Sequence, residues 1–158
     1  MRLRTAILIG VISDTHGLLR PEAIEALHGS QRIIHAGDVG APEILDQLAA
    51  IAPVTAIRGN IDKGAWARKL PETELVELAG LSLYVLHDWS QLDLKPEAAG
   101  ISVVVYGHSH VPKQETRGGV LYFNPGSAGP RRFKLPVSVG RLMVEGGNLE
   151  GEIITLAV

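Results

Sequence analysis

Short apolar runs alternate with amphipathic segments over the first sixty residues of the chain. The apolar runs at residues 5–12, 32–36 and 53–59 have the length and composition of buried strands. Between them, residues 21–28 and 41–51 carry apolar side chains at helical spacing, and the first of these segments opens with a proline, which suits the first position of a helix. This β-α-β-α-β order predicts a parallel sheet covered by helices.

The second half of the chain is richer in strand-like runs. Residues 73–88 predict a hairpin, residues 92–99 a short helix, and residues 101–107 another buried strand. The final runs, LPVSVGRLMVE and LEGEIITLAV, predict a closing antiparallel pair. A β/α half followed by a β-rich half favours two packed sheets with helices outside, in one domain over residues 1–158. Turn signals separate the later runs at residues 117–119, 124–126 and 146–148.

Composition and charge narrow the kinds of function that the protein can have. Of the 158 residues, 46% are apolar and 20% charged, as in ordinary globular proteins, and the net charge of −2 argues against a dedicated nucleic-acid or anionic-membrane surface. The chain has no cysteine, so any metal must bind nitrogen and oxygen ligands. The opening segment MRLRTAILIGVISD lacks the cleavage pattern of a signal peptide, so we expect a first strand there, a cytoplasmic location and no membrane partner.

Side chains that can bind metals follow the apolar runs one after another. In open α/β sheets, ligands gather at the carboxyl ends of the strands, so these side chains are expected to converge. In VVVYGHSHVP, alternation along an extended chain points His108 and His110 to the same side, and Gly107 allows the preceding turn. The donors are Asp14 and His16 in SDTHG, Asp38 in HAGDVG, Asn60 in RGNID, His87 in YVLHD, and His108 and His110 in GHSH.

Seven nitrogen and oxygen donors are too many for one tetrahedral zinc ion, whereas they suit two metals that share a carboxylate. Two cations about 3.5–4 Å apart are the usual clamp for in-line displacement at phosphorus, where a hydroxide attacks. Taken alone, Asp14 would be a turn cap, Asn60 a turn residue and His87 a half-buried histidine. Their joint occurrence at successive strand ends favours the metal centre, while His28 and His35 receive no functional role.

The order D-x-H, G-D, G-N, a lone H and G-H-x-H resembles the calcineurin-like metallophosphoesterase superfamily. The short length and the NPGS segment resemble its small YfcE-like phosphodiesterase branch. The resemblance implies a four-layer α-β-β-α sandwich of two mixed sheets with a dinuclear centre at the sheet edge. It implies two divalent ions, manganese first with nickel, zinc, iron or magnesium as alternatives. It also implies a small phosphodiester substrate and a homodimer or homotetramer. The lack of a strongly basic composition argues against nucleic acid in any role but that of substrate.

The resemblance also assigns each donor to an ion. Asp38 and a hydroxide bridge the two ions, and this metal-bridging hydroxide attacks the phosphorus of a phosphodiester. Asp38, Asn60 and His108 are the catalytic residues that the resemblance implies. Asp14, His16 and His110 are assigned to the first ion, and Asn60, His87 and His108 to the second.

Two departures from the family pattern bear on the chemistry. Ile61 stands where many members carry a histidine thought to help the leaving group depart, so activity is expected to fall steeply as the leaving group becomes more basic. Asp62 is then either an alternative acid or a turn cap. Asp88 follows His87 where a glycine is usual, and its carboxylate either repels an anionic substrate or orients a ligand.

Three arginines and a tryptophan are further candidates. Arg58, Arg131 and Arg132 are candidates for contacts with the substrate phosphate, with solvated surface arginines as the alternative. Trp89 would either stack on a base or aryl group or serve a core or interface role.

Two other functions compete with hydrolysis of phosphodiesters. A non-catalytic protein-interaction scaffold of the Vps29 type shares this fold, but its members tend to lose metal-binding histidines, whereas all seven donor positions are present here. A hydrolase of the metallo-β-lactamase type needs H-x-H-x-D-H, whereas VPK follows HSH in this chain. The donor pattern therefore favours the phosphodiesterase.

Overall fold

Two mixed five-stranded sheets make up the fold in a computed structural model that describes residues 6–158. The strands are β1 (Ile7–Ile12), β2 (Arg32–His35), β3 (Val54–Ala56), β4 (Thr73–Leu78), β5 (Leu81–Leu86), β6 (Val103–Val105), β7 (Lys113–Arg117), β8 (Val120–Asn124), β9 (Ser138–Glu145) and β10 (Asn148–Thr155). The helices are α1 (Pro21–Leu27), α2 (Pro42–Ala49) and α3 (Ala65–Arg68). The first sheet has the order β10-β9-β1-β2-β3 and the second the order β4-β5-β6-β8-β7.

In the first sheet, β1, β2 and β3 run parallel and are connected by α1 and α2. β9 pairs antiparallel with both β1 and β10, and Gly146 and Gly147 form the turn between β9 and β10. The predicted β-α-β-α-β half and the closing antiparallel pair are therefore confirmed. Residue 5 of the first predicted strand lies outside the described residues.

In the second sheet, β4 and β5 form the predicted hairpin, and β5, β6 and β8 run parallel. The predicted helix over residues 92–99 is wrong: a 3₁₀ turn at Trp89–Gln91 precedes the segment, residues 92–95 are not helical and residues 96–100 form a turn. Pro96 lacks the N–H group that a longer helix would need at this position. Gly100 has a φ of 74°, and the Ile101 N–H donates back to the Pro96 carbonyl, which closes the turn.

Alternation along the strands divides the apolar side chains between the faces of the sheets. Ile34, Val85 and Phe123 belong to the cluster that fills the space between the two sheets. The adjacent Ile33 belongs to another cluster, which includes Leu27 of α1 and covers the helical face of the first sheet. Burial of these side chains is the main force that holds the layers together.

The outer face of the second sheet is covered by a loop. Leu92, Leu94 and Ile101 of this loop pack against Val104 and Tyr106. The predicted α/β class with two mixed sheets is confirmed, with helices over the first sheet and this loop over the second. No helix among residues 6–158 is long and apolar enough to cross a bilayer, and the longest, α2, has eight residues.

Candidate metal centre

The loops that follow β1, β2, β5 and β6 meet at one edge of the two sheets. In the first sheet, the Asp14 N–H donates to the Gly37 carbonyl at 3.0 Å. In the second, the Gly107 N–H donates to the His87 carbonyl at 3.0 Å. The two sheets are joined where the His108 N–H donates to Asp14 Oδ2 at 3.1 Å. Both sheets therefore contribute to one site.

Five of the seven predicted ligands have left-handed backbone conformations, which are uncommon outside glycine. Such conformations persist only where surrounding contacts impose them, and they cluster at functional sites. The backbone strain thus coincides with the positions at which the sequence predicts metal ligands. The φ angles are 56° at Asp14, 46° at His16, 56° at Asp38, 70° at His108 and 65° at His110.

The first donor group consists of Asp14, His16 and His110. His110 Nε2 lies 3.3 Å from Asp14 Oδ1, and His16 Nε2 lies 3.8 Å from the same oxygen. The ring centroids of the two histidines are 5.3 Å apart. This is the set of side chains that the family resemblance assigns to the first ion.

The second donor group consists of Asp14, Asp38 and His87. His87 Nε2 lies 3.2 Å from Asp38 Oδ2 and 3.7 Å from Asp14 Oδ1. His16 Nε2 of the first group is 3.5 Å from Asp38 Oδ2, so the two groups touch. Asp14 belongs to both groups and Asp38 contacts both, whereas the family resemblance gives the bridging position to Asp38 alone.

Buried donor atoms without hydrogen-bond partners indicate that these groups fit a cation. Eight buried side-chain atoms among the described residues have no hydrogen-bond partner, and four of them belong to this cluster: Asp14 Oδ1, His16 Nε2, His87 Nε2 and His110 Nδ1. Each unpaired buried polar atom costs about 1–3 kcal/mol, and such atoms are rare unless a ligand completes them. Carboxylate oxygens and imidazole nitrogens suit manganese, iron, nickel or zinc. The residues therefore match the chemistry of a divalent-metal site.

Interactions between the carboxylates and the imidazoles of the cluster shift their pKa values. Burial alone would raise the pKa of Asp14, but contacts with His110 and His16 hold it far below its ordinary value. Burial opposes the ionisation of Asp38 as well, yet its contact with His87 lowers its pKa. The pKa of His16 is raised chiefly by Asp14. The pKa of His87 is raised because Asp38 and Asp14 outweigh its burial. Protons and a cation therefore compete for His16 and His87.

His108 and Asn60 lie at the rim of this cluster. The His108 side chain is 43% exposed, and its ring centroid lies 5.1 Å from that of His87. Asn60 is exposed and lines a cavity of about 500 Å³ together with His87. The structure thus gathers five of the seven predicted ligands tightly and places the other two beside them.

Glycines beside the donors permit close approach of the backbone. A Cβ on Gly107 would lie 2.6 Å from Asp14 Oδ2, and one on Gly37 would lie 2.7 Å from His87 Nδ1. A Cβ on Gly59 would collide with Asp38 Oδ1. These contacts explain why glycines recur next to the predicted ligands in the sequence.

Hydrogen bonds to the backbone orient two of the side chains around the cluster. His87 Nδ1 lies 2.8 Å from the Ala36 carbonyl, which can only accept, so Nδ1 carries a hydrogen and Nε2 faces the carboxylates. Asp62 is buried, and both of its carboxylate oxygens accept backbone N–H groups. This geometry is that of a turn cap linking the loops after β2 and β3. Its donors are Val39 at 3.1 Å, Gly40 at 2.9 Å and Gly59 at 2.9 Å.

His35 and Thr15, to which the sequence pattern gives no functional role, connect the donor loops through buried hydrogen bonds. The Gly37 N–H donates to His35 Nδ1 at 3.1 Å, so the neutral ring carries its hydrogen on Nε2, 3.0 Å from Thr15 Oγ1. The Thr15 hydroxyl in turn donates to the Val39 carbonyl at 2.8 Å. Burial lowers the pKa of His35 to about 4. The only signal in the sequence was a polar residue at the end of an otherwise apolar strand.

The arginines differ in their relation to the donors. Arg58 donates to Glu72 at 2.9 Å. Arg131 donates to the carbonyl of the last residue at 2.6 Å. Asp14 raises the pKa of His16, and the positive charge of Arg132 opposes that rise, which places Arg132 within electrostatic reach of the cluster. Arg58 also lines the cavity beside Asn60 and His87.

The segment after His87 is ordered by its own contacts. Asp88 Oδ1 accepts from the Ser90 N–H at 3.0 Å, and Asp88 Oδ2 lies 3.9 Å from His108 Nε2. The ring centroid of Trp89 lies 6.3 Å from that of Tyr122 in an aromatic cluster on the outer face of the second sheet. Trp89 therefore takes part in aromatic packing. The Asp88 carboxylate caps the turn through Ser90 and also lies near His108.

Comparison with known proteins gives the site a family context. Residues 7–147 match the profile of the calcineurin-like phosphoesterase superfamily domain. A probable metallophosphoesterase of Methanothermobacter thermautotrophicus is 35% identical over 159 positions, which cover 93% of this chain and 91% of the relative. Phosphodiesterase YfcE of Escherichia coli K12 is 29% identical over 160 positions, which cover 82% of this chain and 84% of that protein.

Solved structures share the fold. A novel archaeal phosphodiesterase superposes with a TM-score of 0.77 at 25% identity, covering 94% of this chain and 100% of that one. Vps29 of Entamoeba histolytica in complex with Zn²⁺ superposes with a TM-score of 0.73 at 21% identity, covering 95% of this chain and 99% of that one. At that identity, the likeness to Vps29 shows the fold alone.

Proposed function

The chain belongs to the calcineurin-like phosphoesterase superfamily, and we propose that it is a divalent-metal-dependent phosphodiesterase. The observation that carries the proposal is the set of unpaired buried donor atoms of Asp14, His16 and His87 at the ends of strands from both sheets. The similarity to proteins named as phosphodiesterases supports ester hydrolysis as the reaction.

We assign Asp14, His16 and His110 to one ion and Asn60, His87 and His108 to the other, with Asp38 shared between them. The short contacts of Asp38 with both His16 and His87 support the shared position. Two divalent ions held there would supply a hydroxide nucleophile near neutral pH and would neutralise charge on the phosphoryl oxygens. Manganese is the first choice, with nickel, zinc, iron or magnesium as alternatives.

The side chains of the protein position the ester and determine how the leaving group is protonated. His108 is exposed at the rim, so it can contact a phosphoryl oxygen from the solvent side. In the reaction, the oxygen of a water forms a bond to phosphorus while the bond from phosphorus to one alcohol oxygen breaks. Ile61 has no proton to give, so the departing alkoxide takes its proton from solvent.

Metal-stripped protein restored with Mn²⁺, Ni²⁺, Zn²⁺ or Mg²⁺ singly tests the proposal. We expect restored protein to hydrolyse bis(p-nitrophenyl) phosphate with a higher kcat/KM than p-nitrophenyl phosphate. Asp38→Asn should lower both metal loading and turnover by about 100-fold or more. Asp46→Asn, on the exposed side of α2, is the matched control and should change neither. Fully loaded protein that leaves every phosphate ester intact would overturn the proposal.

A scaffold of the Vps29 type is the competing function on this fold. A complete donor set does not separate the two functions, because Vps29 has itself been solved with Zn²⁺. Turnover by fully metal-loaded protein separates them. The single domain, the homodimer or homotetramer and the cytoplasmic location stay predictions.

A further inference from the structure

A smaller cavity lies beside the loop that carries His108 and His110, at the outer face of the second sheet. It has a volume of about 210 Å³, which suits one substituent of a ligand rather than a whole drug-sized molecule. Only 4% of the chain is aromatic, yet three aromatic residues line this cavity, and we call it the aromatic cavity. The lining residues that matter here are Trp89, Tyr106, Ser109, Val111, Arg117 and Tyr122.

The aromatic side chains are held in position by one another. The ring centroid of Trp89 lies 6.3 Å from that of Tyr106 and 6.3 Å from that of Tyr122. The guanidinium carbon of Arg117 lies 5.7 Å from the centroid of the Trp89 ring, and Arg117 donates two hydrogen bonds to Glu115 at 3.0 Å each. The wall is therefore preorganised, so little binding free energy is lost in ordering it around a ligand.

The wall of the aromatic cavity is nevertheless open to a ligand. Trp89 is 44% exposed and Val111 is 43% exposed, while Tyr122 is half-buried. An aromatic ring that packs on one side and is accessible on the other offers a surface on which a second ring can stack.

The charges around the aromatic cavity favour an uncharged occupant. Glu115 is bonded to Arg117, and Lys113 lies 3.6 Å from the same carboxylate. Two basic side chains thus share one acid, and the divalent ions proposed for the metal centre add further positive charge nearby. Those ions attract the phosphate of a diester, whereas the rings suit a neutral planar group attached to it.

The Ser109 hydroxyl adds a hydrogen-bond donor to this wall. Its oxygen accepts from the Val111 N–H at 3.2 Å and from Asn124 Nδ2 at 3.1 Å. A hydroxyl accepts two hydrogen bonds and donates one, and the Ser109 hydroxyl donates to no acceptor among residues 6–158. Its hydrogen can therefore bond to a nitrogen or a carbonyl oxygen of a bound ring.

The wall of the aromatic cavity is continuous with the loops of the metal centre. Ser109 stands between His108 and His110, and Val111 follows His110 directly. Because successive Cα atoms are about 3.8 Å apart, this part of the wall lies within one residue of two proposed ligands. A group attached to the phosphorus of a bound ester can therefore extend into the cavity.

We infer that the aromatic cavity binds a planar aromatic substituent, carried by the alcohol that stays attached to phosphorus. This inference rests on the proposed function and names the substituent that its substrates carry. Trp89 stacks on the ring, and Ser109 donates to an acceptor on it. A phosphomonoester has no second alcohol and leaves the aromatic cavity empty.

Two diesters with the same charge and the same leaving group test the inference. 2-Phenylethyl p-nitrophenyl phosphate carries a flat ring, and 2-cyclohexylethyl p-nitrophenyl phosphate carries a puckered one. In both, the oxygen of water bonds to phosphorus, the bond from phosphorus to the nitrophenyl oxygen breaks, nitrophenolate leaves and the proton of the water passes to solvent. Attraction to the metal ions is the same for both and cancels in the comparison.

With Mn²⁺-loaded protein, we expect kcat/KM to be about fivefold higher for the phenylethyl diester, because stacking adds to the burial of apolar area. Equal values, or a preference for the cyclohexylethyl diester, would overturn the inference and leave the proposed function intact.

Variants of two aromatic residues test which cavity holds the ring. Trp89→Leu should lower the ratio of the two kcat/KM values to about one, and Trp89→Phe, which keeps a ring, should retain most of the preference. Tyr84→Leu is the matched control, because Tyr84 lines the neighbouring cavity beside Asn60, and it should leave the ratio unchanged. A preference that survives Trp89→Leu, or that is lost in Tyr84→Leu instead, would contradict the assignment.

A pyridine ring tests the role of Ser109. In the wild type, the best of the three pyridylethyl isomers should exceed the phenylethyl diester in kcat/KM by about threefold, because one nitrogen accepts the hydroxyl hydrogen. Ser109→Ala should abolish this gain and keep the preference for a flat ring. If no isomer gains, or if the gain survives in Ser109→Ala, Ser109 does not contact the ring.

Binding separates the failure of this inference from the failure of the proposed function. If neither diester is hydrolysed, calorimetric titration of Mn²⁺-loaded protein with the same two compounds still measures the preference for a flat ring. Tighter binding of the phenylethyl diester that is lost in Trp89→Leu, without turnover, would support the aromatic cavity and overturn the phosphodiesterase. Equal binding without turnover would overturn both.

Discussion

Replacing His35 with glutamine tests whether the buried brace beneath the donor loops makes the protein sensitive to acid. His35 is fully buried, and its neutral ring is held between the Gly37 N–H and the Thr15 hydroxyl. Protonation of the ring would put a charge into this site and remove the acceptor for Gly37. Glutamine has similar length and can donate to Thr15, but it does not titrate.

The expected magnitude follows from the change in pKa on folding. Burial lowers the pKa of His35 from 6.5 to about 4, so between these pH values the unfolded chain binds a proton that the folded chain excludes. The stability from this group is complete above pH 6.5 and is lost as the pH falls toward 4. At about 1.36 kcal/mol per pH unit, the loss is about 3 kcal/mol in all, of which about 2 kcal/mol falls between pH 7.5 and pH 5.

The assay is urea unfolding of chelator-treated wild type and His35→Gln at pH 7.5 and pH 5. His16 and His87 are present in both proteins, so their opposite contribution cancels in the comparison. The variant should be less stable at pH 7.5 because its fit is poorer, and the gap in free energy of unfolding should shrink by about 2 kcal/mol at pH 5. His28→Gln, at an exposed helix end, is the control and should follow the wild type. A gap that is the same at both pH values would refute the reasoning.

The remaining predictions concern the metal centre and its chemistry. Gly59→Ala would press a Cβ against Asp38, so calorimetry should show that affinity for Mn²⁺ falls by about 10–100-fold. An unchanged affinity would show that the loop accommodates the methyl group. Because the pKa values of His16 and His87 are raised, protons compete with the cation, and the Kd for Mn²⁺ should rise as the pH falls from 8 to 6. A Kd that stays constant over this range would contradict that competition. For a series of aryl diesters, kcat/KM should fall steeply as the pKa of the leaving alcohol rises, and Ile61→His should flatten this dependence. If the slope is shallow in the wild type, another group supplies the proton.

Much of the fold could be predicted because each apolar run matches one strand. The runs at residues 32–36 and 53–59 contain β2 and β3, and residues 21–28 contain α1, whose proline stands at its first position. The segment at residues 92–99 is the exception: Leu92 and Leu94 are two residues apart, which is not helical spacing, and in the structure they cover a sheet from a loop. Tertiary contacts, which the local sequence pattern does not show, determine the conformation of that segment.

The ligands of the candidate site could be predicted from the sequence where they follow directly after strands. The structure gathers Asp14, Asp38 and His110 as the strand order requires. Two features could not be predicted from spacing: the position of Asp14 in both donor groups and the pairing of Arg58 with Glu72. Both depend on how the second sheet packs against the first. The brace formed by His35 is hidden for the same reason, because its partners come from other loops.

The donors come from both sheets, and this has a mechanical consequence for a chain without cysteine. Asp14 and His16 follow β1 of one sheet, whereas His110 follows β6 of the other. An ion held by all three fastens the edges of the two sheets together, as a disulfide fastens loops in secreted proteins. The ion must therefore dissociate before the two sheets can separate. The rate at which the halves separate, measured by hydrogen exchange of the β1 and β6 amides, should slow as the concentration of free Mn²⁺ increases.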